Sequence, residues 1–251
     1  MVGKLEDYCV SLFFTGRNHA GENLSKVLVH REVERSVPLH MCDGLASNDP
    51  KGHPTVEVQC NVHARRNFVE LENSFPQECQ KVVESFSAIY RVEAEAKAAR
   101  LSPEQRLREH QTRSGPVMEE LRAWFTELMD GKKVEPNSRL GGAIKYMQKR
   151  WVPLTQFLRI PGAPLDNNEA ERILKRCILH RKNSLHYRTD RGARVGDLFM
   201  SVVETCPANR VNPFEYMMAV VRNAQAAKAD PGQWMPWNFQ TALAEQTARA
   251  G

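Results

Sequence analysis

No apolar run in this chain approaches the ~20 residues of a membrane-spanning helix. Its opening, MVGKLEDYCV, lacks the charged-then-apolar order of a signal peptide. Both absences predict a cytoplasmic protein. No C-x-x-C pair occurs either: Cys9, Cys42, Cys60, Cys79, Cys177 and Cys206 are widely scattered. That spacing argues against a disulfide framework and a four-cysteine zinc site, and it predicts mostly reduced thiols. Internal repeats are absent, and strand signals vanish between about Ala64 and Ile160, so a sheet must be built from what lies outside that stretch.

What is present is a core-forming composition. At 251 residues, 41% hydrophobic and 26% charged, the chain can bury a real core as one large domain with an insertion or as two smaller ones. Tyr8 to Thr15 reads as a strand ending at Gly16, and Ala20 to Val33 has helical spacing stopped by Pro38. Leu39 to Cys42 is a short apolar run closing on Asp43-Gly44. It predicts a buried strand that delivers a carboxylate at its C-terminal edge, where α/β folds place their chemistry. Thr55 to Cys60 alternates like another strand, and a helix starts near His63. Long helical patterns follow: a stripe of Val82, Val83, Phe86, Ile89 and Tyr90, an Ala/Glu/Lys/Arg-rich run from Glu93 to Arg113, then Val117 to Met129 and Leu140 to Leu158. Within them, Arg100 to Arg113 reads first as a solvated face. Helices are also expected near Val195 to Cys206 and Pro213 to Ala227, with Pro231 to Trp237 as an ordered aromatic cap.

Charge is concentrated in one window. Between Arg172 and Arg194 stand eight Lys or Arg residues against the single acid Asp190, while the whole chain carries only +5. His180, His186 and Tyr187 are interleaved. The pattern favours phosphate contact with a polyanion over a merely solvated helix face, with Arg172, Lys175, Arg176, Arg181 and Lys182 as the candidate contacts. Just upstream, Asp166, Glu169 and Glu171 cluster at the start of the same helix. Together with Asp43 they could ligate hard divalent cations for phosphoryl transfer. On spacing alone the plainer reading is favoured: Asp166 or Asn167 caps the helix, and Glu169 and Glu171 suit the dipole at its N-terminus. Cys60 and His63 offer two ligands without a matching second pair, so a buried thiol and a hydrogen-bonded imidazole supporting the strand-to-helix turn is the favoured role.

CNVHARRNF, PLDNNEAERILKRCILHRKNSL, GDLFMSVVETCPANRVNPFEY and WMPWNF, with FFTGRNHAGENL and MCDGLASN, resemble segments of the insertion sequence sixty-six family of bacterial transposases. Several ordered motifs at compatible spacing, from about Tyr8 to Phe239, make the resemblance specific. It implies an α/β, ribonuclease H-like core with a DDE triad, interrupted by an all-helical insertion and followed by a helical C-terminal segment. By position, Asp43 is the second acid and Glu171 the third, with Glu169 the fallback. Both would be metal ligands for Mg²⁺ or Mn²⁺, while Cys60 and His63 match a C-x-x-H signature of unassigned role.

The domains implied are residues 1–63, a partial core with the second acid; 64–160, the insertion; 161–200, the remaining core with the basic helix; and 201–251, the helical end. The family's first acid should lie upstream of FFTGR, and Glu6 and Asp7 do not match its setting. The expectation is therefore an N-terminally truncated, bacterial and nucleoid-associated transposase, inactive alone. Its partners would be DNA at element ends and target, and itself or a full-length transposase. The rival readings are a non-enzymatic DNA-binding or subunit-interacting remnant and a related nuclease acting on RNA.

Overall fold

The computed structural model describes residues 1–5, 8–32, 36–183 and 185–250. Glu6 and Asp7, weighed above against the first acid, lie outside the described residues, as does Val33. The chain divides into two compact units, residues 19–167 and residues 1–18 with 168–251. The fold is mixed α/β and mostly helical, and each described sheet has two strands.

In the unit 19–167, helix α1 (Ala20–Leu28) precedes β3 (Leu39–Cys42) and β4 (Val56–Gln59), and α2 (Asn61–Val69) follows. The labels β1 and β2 belong to the other unit. β3 has the bounds that its apolar run predicts. β3 and β4 pair in parallel, Leu39 opposite Val56 through Cys42 opposite Gln59. Helices α3 (Pro76–Ala98), α4 (Pro103–Glu109), α5 (Gly115–Asp130), α6 (Arg139–Lys149) and α7 (Trp151–Leu154) complete it.

The core follows from helical periodicity. Cys79, Val82, Phe86 and Ile89 of α3 face Ala64 and Phe68 of α2, Met118, Leu121 and Phe125 of α5, and Leu140, Ile144 and Met147 of α6. The Phe68 and Phe125 rings stack with centroids 5.7 Å apart. Fully burying each such side chain contributes about 1.5–3 kcal/mol.

Two predicted helices are interrupted. The Glu93 to Arg113 run breaks where Arg100 enters the left-handed region at φ 51°. It restarts behind Ser102, which forms a reciprocal capping box with Gln105. The Leu140 to Leu158 helix ends at Lys149, because Arg150 leaves helical geometry (φ −108°, ψ 19°), and a short α7 and a 3₁₀ turn (Gln156–Leu158) replace its second half.

The unit 1–18 with 168–251 contains β1 (Val2–Lys4), β2 (Cys9–Ser11), α8 (Asn168–Asn183), α9 (Asp190–Ala208), α10 (Pro213–Arg222), α11 (Ala224–Ala229) and α12 (Phe239–Ala250). β1, which sequence patterning does not predict, runs antiparallel to β2, Val2 opposite Ser11. β2 is shorter than the predicted Tyr8–Thr15 strand because its other edge is bonded by side chains of α9.

Asn209 Oδ1 accepts from the Cys9 amide at 3.0 Å, and its Nδ2 donates to the Cys9 carbonyl at 2.7 Å. Thr205 Oγ1 accepts from the Ser11 amide at 3.0 Å and Ser201 Oγ from that of Phe13 at 3.1 Å. Asp197 takes both the Thr15 amide (2.6 Å) and its hydroxyl (2.7 Å). A stripe of polar residues four apart, three on α9 and the fourth its C-cap Asn209, thus covers a strand edge that would otherwise carry unpaired amides. The apolar core here is small: Cys206, Tyr216, Ala219, Trp234, Phe239 and Ala242. The aromatic end does pack as a cap, with Trp234 buried, the Tyr216 hydroxyl donating to its carbonyl at 2.8 Å, and Trp237 stacked on Tyr8 at 4.1 Å.

Candidate functional site

Asp43 is the first residue past β3, and Cys60 the first past the parallel β4, so both stand at one edge of the same pair. The Cys60 amide extends the ladder by donating to the Cys42 carbonyl at 3.1 Å. Behind Asp43, Gly44 turns the chain at φ +83°, where a Cβ would press on the Gln59 side chain at 3.1 Å and on Arg150 Nε at 3.3 Å. The turn brings two donors to one Asp43 oxygen: Oδ1 accepts from Asn48 Nδ2 at 2.6 Å and from the Leu45 amide at 3.2 Å. The carboxylate is therefore half-buried and fixed in direction by its own loop.

Cys60 is buried, and burial pushes its thiol pKa up against the pull of nearby amides, that of Asn167 foremost. The Asn167 amide points at its sulfur from 3.4 Å. Beside it, Asn61 donates to the carbonyls of Leu154 (3.0 Å) and Leu165 (3.1 Å), and its own amide donates to Leu165 at 3.0 Å. The turn from β4 into α2 thus clamps the segment Leu165–Asn167. His63 is half-buried in the first turn of α2. Asp166 faces Tyr90, whose phenol pKa is driven up by burial first and by that carboxylate second.

Asp43, Cys60 and His63 belong to the unit 19–167, whereas Glu169, Glu171 and the basic helix belong to the other. On α8, Glu169 is paired with Lys4 at 2.5 Å, while Glu171 is half-buried. Arg172, Lys175, Arg176, Arg181 and Lys182 are all exposed. At 100° per residue, Arg172, Lys175, Arg176 and Lys182 share a sector of about 120°, with Arg181 on the opposite side. Arg176 also donates to the buried Glu204 carboxylate, so part of its charge is already used within the unit. Downstream, Thr189 caps α9 by accepting from the Gly192 amide at 3.1 Å. The Tyr187 ring lies so close to Gly196 that a Cβ there would meet it at 2.4 Å.

Patterning missed one polar cluster in the helical unit. His110 is 0% exposed, with Nδ1 2.9 Å from Ser114 Oγ and Nε2 2.9 Å from Glu93 Oε2. Arg106 donates to the same Glu93 oxygen at 2.6 Å. Burial raises the Glu93 pKa, but the hydrogen bonds from His110 and Arg106 and the guanidinium charge outweigh it and hold the carboxyl at about 2. The serine, histidine and carboxylate have the order of a catalytic triad, yet no substrate can reach a hydroxyl sealed in a core, so the cluster is structural. It corrects the solvated reading of Arg100 to Arg113, since Arg106 and His110 point inward. The available signal was Glu93, four residues beyond Ile89 on the buried stripe of α3.

The sequence matches the transposase IS66 family over residues 7–195. The chain belongs to that family. Its family-matched stretch includes Asp43, Cys60, His63, Glu171 and all five candidate DNA-binding residues. Among curated proteins of Sinorhizobium fredii (strain NBRC 101917 / NGR234), the chain is similar to the uncharacterized protein y4jD, 28% identical over 75% of this chain and 37% of the relative. It is also similar to the uncharacterized protein y4hP, 25% identical over 93% of this chain and 44% of the relative. The chain therefore spans less than half the length of either relative. No solved structure matches.

Proposed function

We propose that this chain contributes to DNA transposition, with Asp43 and Glu171 as two carboxylates of a metal-dependent phosphoryl-transfer centre on a ribonuclease H-like core. Membership of the family supports it, and the observation that carries it is the setting of Asp43. An acid stands at the C-terminal edge of a parallel strand, with one oxygen oriented by Asn48 and Leu45. A fixed, partly exposed carboxylate suits a hard divalent cation, which prefers oxygen ligands and keeps coordination sites for water and phosphate.

Mg²⁺ or Mn²⁺, held by Asp43 and Glu171, would act as a Lewis acid toward phosphoryl oxygens and lower the pKa of bound water. Asn48 and the Leu45 amide keep the Asp43 carboxylate in place before substrate arrives. Arg172, Lys175 and Lys182 place backbone phosphates along one face of α8, a sequence-independent and salt-sensitive contribution.

The test is nicking of labelled duplexes carrying element ends in Mg²⁺ or Mn²⁺, alongside DNA binding measured by anisotropy. Any nicking by the chain on its own is expected to be weak, and it should be lost in Asp43→Asn and Glu171→Gln with binding intact. Nicking that survives both substitutions sinks the assignment. The exposed basic face of α8 favours a second reading, a DNA-binding partner without catalysis of its own. A chain that binds duplexes through Lys175 but never nicks them is that second protein.

A further inference from the structure

His40 and Cys42 stand two apart on β3 and therefore project from the same face of the strand. Asp49, at the end of the loop that begins with Asp43, returns to that face. The ligand atoms of His40, Cys42 and Asp49 all lie within 4.8 Å of one another. Cys42 is a buried free thiol, His40 is half-buried and Asp49 is exposed. The ring nitrogen Nδ1 of His40 is buried and makes no hydrogen bond. An imidazole nitrogen shut away from water without a partner costs free energy unless something else satisfies it. Asp49 is placed by backbone packing: Gly21 of α1 lies so close that a Cβ there would overlap the Asp49 carbonyl oxygen at 2.2 Å.

The geometry points to a binding site for one borderline-soft transition-metal ion of the Zn²⁺ class, held by His40, Cys42 and Asp49. An imidazole nitrogen, a thiolate and a carboxylate oxygen form a donor set that such ions bind at about 2.0–2.3 Å. The separations require only modest side-chain closure, and the exposed Asp49 side leaves a position for water. The surroundings are negative: Asp49 and Glu57 act on His40, and Glu57, Asp49 and Asp43 on Cys42. The donors also separate this site from one at Asp43, because Mg²⁺ and Mn²⁺ favour all-oxygen ligands. By joining Cys42 to Asp49, the ion closes the loop that carries Asp43 and Asn48. Binding by the thiol releases its proton to solvent and involves no change of oxidation state.

Co²⁺ titration of the purified full chain tests this, because a thiolate on Co²⁺ gives a near-ultraviolet charge-transfer band. The expected result is one equivalent bound, with the band displaced stoichiometrically by Zn²⁺ but not by millimolar Mg²⁺. Cys42→Ser should abolish the band, and Cys60→Ser and Asp43→Asn should leave it. Because Cys42 is buried, the deciding variant is Asp49→Asn at an exposed position, which should weaken Co²⁺ affinity at least tenfold while circular dichroism is unchanged. Absence of a thiolate band in the wild-type chain, its loss in Cys60→Ser, or unaltered affinity in Asp49→Asn each overturns the assignment.

Discussion

The two units hold themselves together by different means. Residues 19–167 rest on an apolar cluster of some twenty buried side chains, into which one ionic cluster, Glu93 with Arg106 and His110, is sealed. Residues 1–18 with 168–251 have, among the described residues, a core cluster of six buried side chains and lean instead on hydrogen bonds that α9 and its C-cap make to an extended strand. Apolar packing is non-directional and tolerates small shifts, whereas a polar ladder fixes register but gives little net free energy per bond. The unit with the candidate strand-edge acid is thus the heavily packed one, and the unit with the candidate phosphate-contacting helix is the lightly packed one.

The largest blow to this contrast should come from Phe125→Ala, which empties the centre of the apolar cluster. A loss of about 3–5 kcal/mol is expected, read as a shift in denaturant midpoint reported by far-ultraviolet circular dichroism. Acid should act next. The Glu93 carboxyl is held at about 2 against an ordinary value of 4.5, so its contribution is complete above pH 4.5 and is lost as pH falls from there towards 2. That loss is on the order of 3 kcal/mol. Glu93→Gln should flatten the acid limb of a stability-against-pH curve, and an unchanged limb would show that the cluster carries no linkage.

In the other unit, Thr205→Val removes both the acceptor for the Ser11 amide and the donor to its carbonyl. About 1–3 kcal/mol is expected, with hydrogen exchange accelerated at Ser11 but not at Val58 of β4. The smallest effect on stability belongs to Lys175→Ala, within about 0.5 kcal/mol. The same change should lower the slope of log affinity for duplex DNA against log salt by about 1.

Sequence patterning reached β3 to the residue because a buried parallel strand is a short apolar run, and Asp43-Gly44 punctuates it. It failed where partners are distant or polar. Val2-Gly3-Lys4 is too short to show alternation, and only its antiparallel register with β2, Val2 opposite Ser11, marks it as a strand. The ladder partners Asp197, Ser201, Thr205 and Asn209 lie on a helix and its C-cap, where apolar neighbours dominate the pattern, so a polar stripe there reads as solvent-facing. Arg106 and His110 depart from the pattern for a related reason: charge reads as exposure, whereas Glu93, carried inside by α3, draws both of them inward. At the candidate site, the carboxylate of Asp43 could be named from its strand, but its tether to Asn48 depends on the loop's return.

The pairing of α9 with β2 works like a vernier. Four residues of helix advance about 6.0 Å, and two residues of strand about 6.6–6.8 Å. Each successive bond therefore starts roughly 0.7 Å further out of step than the one before. Across the four pairs from Cys9 to Thr15 the drift reaches about 2 Å, near the limit that rotating side chains can absorb. A helix can therefore stand in for a neighbouring strand only over a short span. Lengthening the strand by one more pair would demand a bend in one of the two elements.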